Sequence, residues 1–159
     1  MYVKSCFFIG HREASSDLLP ILKQTVEKHI SEYGVTDFIV GGYGSFDSLA
    51  ARAVKSYKQQ YPQITLALLL PYHPAERPIE APPGFDNTFY PPGMEKTPRK
   101  LAIVRANKYM VDHVDYLIAY AWHPASNARD LVDYANNRER KGQINITLIG
   151  RDGVLESKC

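Results

Sequence analysis

Three glycines stand within four positions of the chain, and a serine and an aspartate follow them closely. The residues are Gly41, Gly42, Gly44, Ser45 and Asp47. Glycine leaves room where a backbone turns sharply or lies close to a ligand. If a helix begins at Ser45, its unpaired N–H groups and the positive end of its dipole suit a phosphate or another anion. A strand-to-helix turn that needs positive φ angles explains the glycines equally well.

Two charged side chains next to predicted turns could contact such an anion or the sugar that carries it. Arg12, in the run Gly10-His11-Arg12, could pair bidentately with a phosphate or a carboxylate. It could also pair with a neighbouring acidic side chain such as Asp17. Asp47 could accept hydrogen bonds from a ribose hydroxyl, or stabilise the N-terminus of its own helix. Both alternatives remain open at this level.

Aromatic and short polar side chains at other predicted strand ends could complete a site. Tyr43, Tyr72 and Trp122 could stack on a base, although packing explains an aromatic side chain equally well. Ser126 and Asn127 could bind a phosphate, or cap the helix that begins beside them. These side chains are included among the candidate ligand-binding residues.

The spacing of the histidines and glycines argues against several kinds of site. His11, His73 and His123 each follow a predicted strand but show no metal-ligand spacing, so neither a metal nor a cofactor is predicted. The glycine turn lacks the Gly-Lys-Ser/Thr of nucleoside triphosphatases and the Gly-x-Gly-x-x-Gly of dinucleotide sites. It also lacks the Gly-x-Ser-x-Gly elbow of serine hydrolases.

The elements that position these residues follow from the hydrophobic pattern. Apolar runs predict strands at residues 3–9, 36–40, 64–70, 116–121 and 144–149. Helical periodicity predicts helices near residues 17–33, 46–60, 98–112 and 128–141. This alternation predicts an α/β fold, in which a five-stranded and mainly parallel sheet carries helices on both faces.

The candidate residues all follow predicted strands directly. They lie in the segments 10–12, 41–47, 70–73 and 122–129. In open parallel sheets ligands bind beyond the carboxyl ends of the strands, at the point where strand order reverses. We therefore expect the four segments to meet at one edge of the sheet, although they are far apart in sequence.

The stretch 71–98 differs from the rest of the chain, because it holds eight of the eleven prolines. No regular helix or central strand is expected there. Its aromatic residues predict a flap that packs on the domain, and a variable surface insertion is the alternative. The predicted organisation is one domain over residues 1–150 that includes this flap, followed by a polar tail over 151–159.

Composition and charge limit the classes of function that the chain can have. The chain has 159 residues, of which 45% are hydrophobic and 23% charged, as in ordinary globular proteins. A net charge of +2 does not by itself favour nucleic acid or a membrane surface. The two cysteines form no disulfide framework, and the apolar run at the N-terminus is too short to span a membrane. A cytoplasmic protein without a membrane partner is expected.

Three stretches together resemble the SLOG superfamily, and within it the small bacterial and phage proteins of the DUF1273/YpsA kind. They are residues 5–12 (SCFFIGHR), 40–47 (VGGYGSFD) and 105–119 (RANKYMVDHVDYLIA). The resemblance implies a Rossmann-like three-layer sandwich. It also implies that nucleotides or nucleotide-derived ligands bind at the glycine turn and the neighbouring strand ends.

Two branches of that superfamily imply further activities. The LOG phosphoribohydrolases carry a Pro-Gly-Gly-x-Gly-Thr-x-x-Glu motif after the fourth strand, and the comparable stretch here, residues 123–130, lacks the glycine pair and the glutamate. The DprA-like proteins bind single-stranded DNA, which needs a basic groove that this charge does not predict. Both activities, N-glycosidic hydrolysis of nucleoside monophosphates and DNA binding, are kept as alternatives.

The sequence thus predicts binding or sensing of a nucleotide-type small molecule, and a homodimer is left open. Backbone N–H groups of residues 41–45 would hold the phosphate with Arg12 as ionic partner, and Tyr72, Trp122 and Asn127 would close the pocket. The full set of predicted ligand-binding residues is Gly10, His11, Arg12, Gly41, Gly42, Tyr43, Gly44, Ser45, Asp47, Tyr72, Trp122, Ser126 and Asn127. No catalytic residue is assigned.

Overall fold

The computed structural model describes residues 3–73 and 80–156, and within them six parallel strands form one sheet. The strands are β1 (Lys4–Gly10), β2 (Val35–Val40), β3 (Thr65–Leu69), β4 (Asn87–Phe89), β5 (Tyr116–Tyr120) and β6 (Asn145–Leu148). Their order across the sheet is β4-β3-β2-β1-β5-β6, and every neighbouring pair is parallel. The predicted α/β class is confirmed, with six strands in place of five.

Helices cover both faces of the sheet. They are α1 (Leu19–Ser31), α2 (Ser45–Lys55), α3 (Ala102–His113) and α4 (Asn127–Arg140). Side chains alternate along a strand, so Cys6 and Phe8 of β1 pack with α1 and α2, whereas Phe7 and Ile9 pack with α3 and α4. All four side chains are buried. The arrangement is a Rossmann-like three-layer fold, and burial on both faces explains the continuous apolar run of β1.

The sixth strand, β4, lies at the edge of the sheet within the proline-rich stretch. It pairs with β3 over three residues. Asp86 holds its start in place, because the Asp86 carboxylate accepts the Leu66 N–H at 2.8 Å and the Lys58 ammonium at 2.6 Å. Proline is tolerated beside an edge strand, where one row of N–H groups needs no partner. The sequence pattern could not predict so short a strand.

The helices confirm the predicted apolar faces more closely than the predicted ends. Leu22, Val26 and Ile30 of α1 are buried as expected. In contrast, α2 ends at Lys55 rather than near residue 60, and α3 begins at Ala102, after a short 3₁₀ turn, rather than at residue 98. The first and last residues of a helix depend on capping residues and tertiary contacts, and hydrophobic periodicity gives no information about either.

The segment after β6 folds back on that strand. Ile149 and Leu155 form an antiparallel bridge, and the Glu156 N–H donates to the Leu148 carbonyl at 2.8 Å. Residues 74–79 of the predicted flap and residues 157–159 of the predicted tail lie outside the described residues. Among the helices that are described, none is long and apolar enough to cross a membrane.

Candidate functional site

A cleft of about 710 Å³ opens at the carboxyl ends of β1 and β2. It is lined by Ile9, Gly10, His11, Arg12, Tyr43, Gly44, Asp47, Ile103, Val104, Asn107, Lys108, Ser126, Asn127, Ala128, Asp130, Leu131 and Tyr134. One side, which we term the glycine rim, is formed by the segments 10–12 and 43–47, of which Ser45 and Phe46 do not themselves line the cleft. The other side, the helical rim, consists of residues 103–108 of α3 and 126–134 at the start of α4.

The cleft lies at the point where strand order reverses. β1 is paired with β2 on one side and with β5 on the other. The chain leaves β1 toward α1 on one face of the sheet and leaves β5 toward α4 on the opposite face. The two connections therefore diverge and leave a crevice between them, as expected for ligand sites in parallel sheets.

The glycine turn is built for close packing rather than for unusual dihedral angles. Glycines with positive φ occur in the described residues, but Gly41, Gly42 and Gly44 are not among them. Gly44 is fully extended, with φ at 174°. A Cβ atom there would stand 2.5 Å from the carbonyl oxygen of Arg12. Since none of the three glycines has a positive φ, the alternative that they serve a positive-φ turn is wrong. Gly44 instead allows its backbone to lie against the backbone of Arg12.

Ser45 ties the loop after β1 to the start of α2. Its N–H donates to the Arg12 carbonyl at 2.8 Å, and its hydroxyl donates to the same oxygen at 3.0 Å. The Ser45 Oγ also accepts the Ala14 N–H at 2.6 Å. The Ser45 amide, which the sequence assigned to a phosphate, is thus engaged within the protein, and Ser45 does not line the cleft.

Asp47 combines a structural contact with a raised pKa. Its carboxylate accepts the Tyr43 N–H at 3.1 Å, the local role that the sequence left open beside ribose binding. Asp47 is only 8% exposed, and burial raises the pKa of its carboxyl to about 6, although the Tyr43 hydrogen bond opposes this rise. A carboxyl group with such a pKa at a cleft is a candidate for binding or proton transfer.

Tyr43 adds a second polar group to the glycine rim. Its hydroxyl is buried and has no hydrogen-bond partner in the part of the chain that the structure describes. Burial raises the pKa of this phenol, and the nearby Asp47 carboxylate raises it further, so Tyr43 stays protonated. A ligand acceptor that reached this hydroxyl would find a donor.

His11 joins the loop after β1 to the loop after β5. Its Nε2 atom accepts the His123 N–H at 3.2 Å, and its ring packs edge-on against Tyr120 and Trp122. Burial lowers the pKa of His11, and the charge of His123 lowers it further. His11 is therefore neutral near pH 7, with Nε2 as an acceptor.

Residues at the start of α4 line the cleft and include N–H groups without an intrahelical acceptor. Ser126 is the N-cap, since its Oγ accepts the Arg129 N–H at 3.1 Å while its own hydroxyl donates to the His123 carbonyl at 2.8 Å. Asn127 is the first helical residue, so of the two caps that the sequence allowed, Ser126 is confirmed and Asn127 is wrong. Within residues 3–73 and 80–156, the N–H groups of Asn127 and Ala128 have no acceptor.

The wall contributed by α3 was not predicted from the sequence. Ile103 and Val104 line the cleft, and Val104 is 42% exposed. Asn107 is only 8% exposed, and among the described residues nothing bonds its Oδ1 atom. The ammonium of Lys108 lies 5.3 Å from the centre of the Tyr134 ring. The stretch 105–119 carries the resemblance described above, but no pattern in it indicated which helix face meets the cleft.

The structure brings some of the predicted residues together and places others elsewhere. Those that line the cleft are Gly10, His11, Arg12, Tyr43, Gly44, Asp47, Ser126 and Asn127. Those that do not line it are Gly41, Gly42, Ser45, Tyr72 and Trp122. The Arg99 guanidinium stacks 4.4 Å above the Tyr72 ring, and the Arg151 guanidinium stacks 4.5 Å above Trp122. Both aromatic faces are thus covered by cations instead of closing the pocket.

The charges of the cleft are mixed. Arg12 and Lys108 bring positive charge, and Asp47 and Asp130 bring negative charge. In the described ranges no three His, Cys, Asp or Glu side chains cluster in a way that could hold a metal ion. The arrangement offers amides and cations to an anionic group, an apolar wall to a flat ring, and separate buried polar atoms to hydrogen-bonding groups.

Comparison of the sequence with models of known protein families gave no match, and comparison with curated proteins gave none either.

Proposed function

We propose that the cleft binds a nucleotide or a nucleotide-derived molecule. The observation that carries the proposal is the combination, in one crevice where strand order reverses, of open α4 amides, Arg12 and an apolar α3 wall. Membership of the SLOG superfamily belongs to the same proposal, because the resemblance in residues 5–12, 40–47 and 105–119 suggests it. A cytoplasmic location is proposed with it, because the two cysteines form no disulfide framework.

The anionic end of the ligand would lie at the start of α4. The N–H groups of Asn127 and Ala128 and the positive end of the helix dipole favour a phosphate there. Arg12 is exposed at the same cleft and supplies the ionic partner. This differs from the sequence-based expectation, which placed the phosphate at the glycine turn.

The uncharged end of the ligand would lie along the helical rim. Ile103, Val104 and Leu131 offer apolar surface to the face of a base. A base has apolar faces and polar edges, so it also needs hydrogen-bonding groups beside that surface. Asn107 and Asp47 line the same cleft and provide such groups.

Titration calorimetry tests the proposal with nucleoside mono- and diphosphates, cyclic nucleotides and ADP-ribose. We expect at least one of them to bind below millimolar concentration. Arg12→Ala should weaken that binding by roughly 1.5–3 kcal/mol, because a charge-assisted hydrogen bond is lost. Arg52→Ala is the matched control, since Arg52 is exposed and lines a separate groove between α1 and α2. Absence of submillimolar binding across the panel would contradict the proposal.

A second candidate function is N-glycosidic hydrolysis of a nucleoside monophosphate. The observation that favours it is the Asp47 carboxyl at the cleft, with its pKa raised to about 6 by burial. In this reaction the glycosidic C–N bond breaks and the departing base takes a proton from an acid such as Asp47. Water bonds to C1′ of the ribose, and the proton that this water loses returns to the Asp47 carboxylate. The products are free base and ribose 5-phosphate.

Incubation of the protein with AMP, followed by chromatographic detection of adenine, tests the second candidate. Release of adenine that disappears in Asp47→Asn would support it. If AMP binds but no adenine forms above the rate without protein, the cleft binds nucleotides without hydrolysing them. The same set of samples therefore distinguishes nucleotide binding alone from nucleotide hydrolysis.

A further inference from the structure

Asn107 is a buried polar side chain that the fold itself does not use. It lies in the middle of α3, is 8% exposed, and lines the cleft. Its Oδ1 atom has no hydrogen-bond partner among residues 3–73 and 80–156. An amide oxygen that is removed from water without a partner destabilises the folded protein. A donor supplied by a ligand in the cleft would remove that cost.

The neighbours of Asn107 indicate which part of a ligand would reach it. Ile103 and Val104 precede Asn107 by four and three residues on α3, so they lie on the same side of the helix. The α3 side chains on the preceding turn beside Asn107 are therefore apolar. The cationic and amide groups that favour a phosphate belong to Arg12 and the start of α4.

We propose that Asn107 determines ligand specificity. Its Oδ1 accepts a hydrogen bond from an amino or hydroxyl group on the uncharged end of the nucleotide. Two groups of a nucleotide have this chemistry, the exocyclic amine of the base and the hydroxyls of the ribose. The inference rests on the proposed nucleotide binding and adds to it a requirement for a donor at one place in the cleft.

Calorimetry with matched ligand pairs tests this inference. If the panel identifies AMP, purine riboside 5′-monophosphate removes only the base amine, and the 2′-deoxy and 3′-deoxy analogues each remove one hydroxyl. If it identifies GMP, IMP removes the amine. We expect the wild-type protein to bind one of these analogues about 5–10-fold more weakly than its parent, the effect of one lost hydrogen bond. The analogue that loses affinity identifies the donor.

Asn107→Leu should abolish that discrimination, so that the parent and the analogue bind within twofold of each other. Asn107→Ala is the second variant and should behave in the same way without adding side-chain volume. Asn136→Leu is the matched control, because Asn136 is half-buried on α4 and does not line the cleft. The control should retain the wild-type preference.

Three results would overturn the inference, and they are distinguishable. If wild-type protein binds nucleotides but treats all analogues alike, nucleotide binding stands and the role of Asn107 fails. The same holds if Asn107→Leu and Asn107→Ala keep the wild-type preference. If wild-type protein binds no nucleotide at all, the proposed function fails and the inference fails with it.

Discussion

The two sides of the cleft differ in how many of their polar groups are already hydrogen-bonded within the protein. In the glycine rim, Ser45 and Arg12 bond each other, and Asp47 accepts the Tyr43 N–H. In the helical rim, Asn107 and the first amides of α4 have no partner in the part of the chain that is described. The glycine rim is thus largely a structural joint between β1 and α2, whereas the helical rim presents unused hydrogen-bonding groups. The glycine motif is therefore mainly structural, although Arg12 and the Tyr43 hydroxyl on the same rim remain available to a ligand.

Among the substitutions that test this difference between the two rims, the largest loss of stability is expected at Gly44. Gly44→Ala would place a Cβ atom 2.5 Å from the Arg12 carbonyl oxygen, and neither backbone can move without separating β1 from α2. We expect the free energy of unfolding in urea to fall by about 3 kcal/mol. Gly42→Ala is the control from the same turn, because its Cβ would meet only Leu68 Cδ1 at 3.6 Å. Equal losses in both variants would contradict close packing as the role of Gly44.

The next effect concerns the protonation of Asp47. Burial raises the pKa of this carboxyl to about 6 from 3.8, so the folded state holds the proton more tightly than the unfolded state. The resulting stabilisation is complete below pH 3.8 and is lost as the pH rises through 6. We expect Asp47→Asn to gain about 2–3 kcal/mol relative to wild type between pH 4 and pH 7.

Urea unfolding of both proteins at several pH values measures that difference. Asp17→Asn is the control, because Asp17 is exposed in the first turn before α1. If the wild-type and Asp47→Asn curves run parallel from pH 4 to pH 7, then Asp47 does not titrate as a buried group.

A smaller effect is expected at Ser45. Ser45→Ala removes the hydroxyl that donates to the Arg12 carbonyl and accepts the Ala14 N–H. The loss should lower the free energy of unfolding by about 1–2 kcal/mol. Ser48→Ala, an exposed position on the same helix, should change it by less than about 0.5 kcal/mol. A Ser45 variant as stable as the Ser48 variant would mean that the joint does not depend on this hydroxyl.

The smallest change in stability is expected for Asn107 in the helical rim. A small change there would strengthen the contrast with the structural role of the glycine rim. Asn107→Leu removes a buried amide that has no hydrogen bond through Oδ1 within the described residues. The free energy of unfolding should stay within about 1 kcal/mol of wild type, in the stabilising direction. Thermal unfolding without ligand measures it. A loss as large as that of Gly44→Ala would place Asn107 among the structural residues.

Much of the scaffold follows from local pattern. The apolar runs predicted β1, β2, β3, β5 and β6 in nearly their observed positions, because strands buried on both faces require continuous apolar residues. The same logic missed β4, whose three residues depend on the Asp86 contacts with Leu66 and Lys58. A strand held by distant side chains leaves no periodic signal.

The sequence predicted the part of the candidate site that lies at strand ends. It missed the part that one face of α3 contributes. Gly10 ends β1, and His11 and Arg12 follow it, so their place at the carboxyl edge needs only the strand. Trp122 also follows a strand, yet it packs against His11 and beneath Arg151 and does not line the cleft. Strand ends give the edge of the sheet, but side-chain direction there depends on packing partners.

The sequence by itself determined the alternation of strands and helices, and thereby the sheet edge at which candidate residues gather. Both follow from hydrophobic periodicity and from the parallel direction of the strands. Only the tertiary structure decided how each group is used. Gly44 allows close contact with the backbone of Arg12, which is distant in sequence. Asn107 reaches the cleft because the packing of α3 turns that face of the helix toward it. Hydrogen-bond satisfaction depends on such distant neighbours, so it is a property of the folded chain and not of any motif.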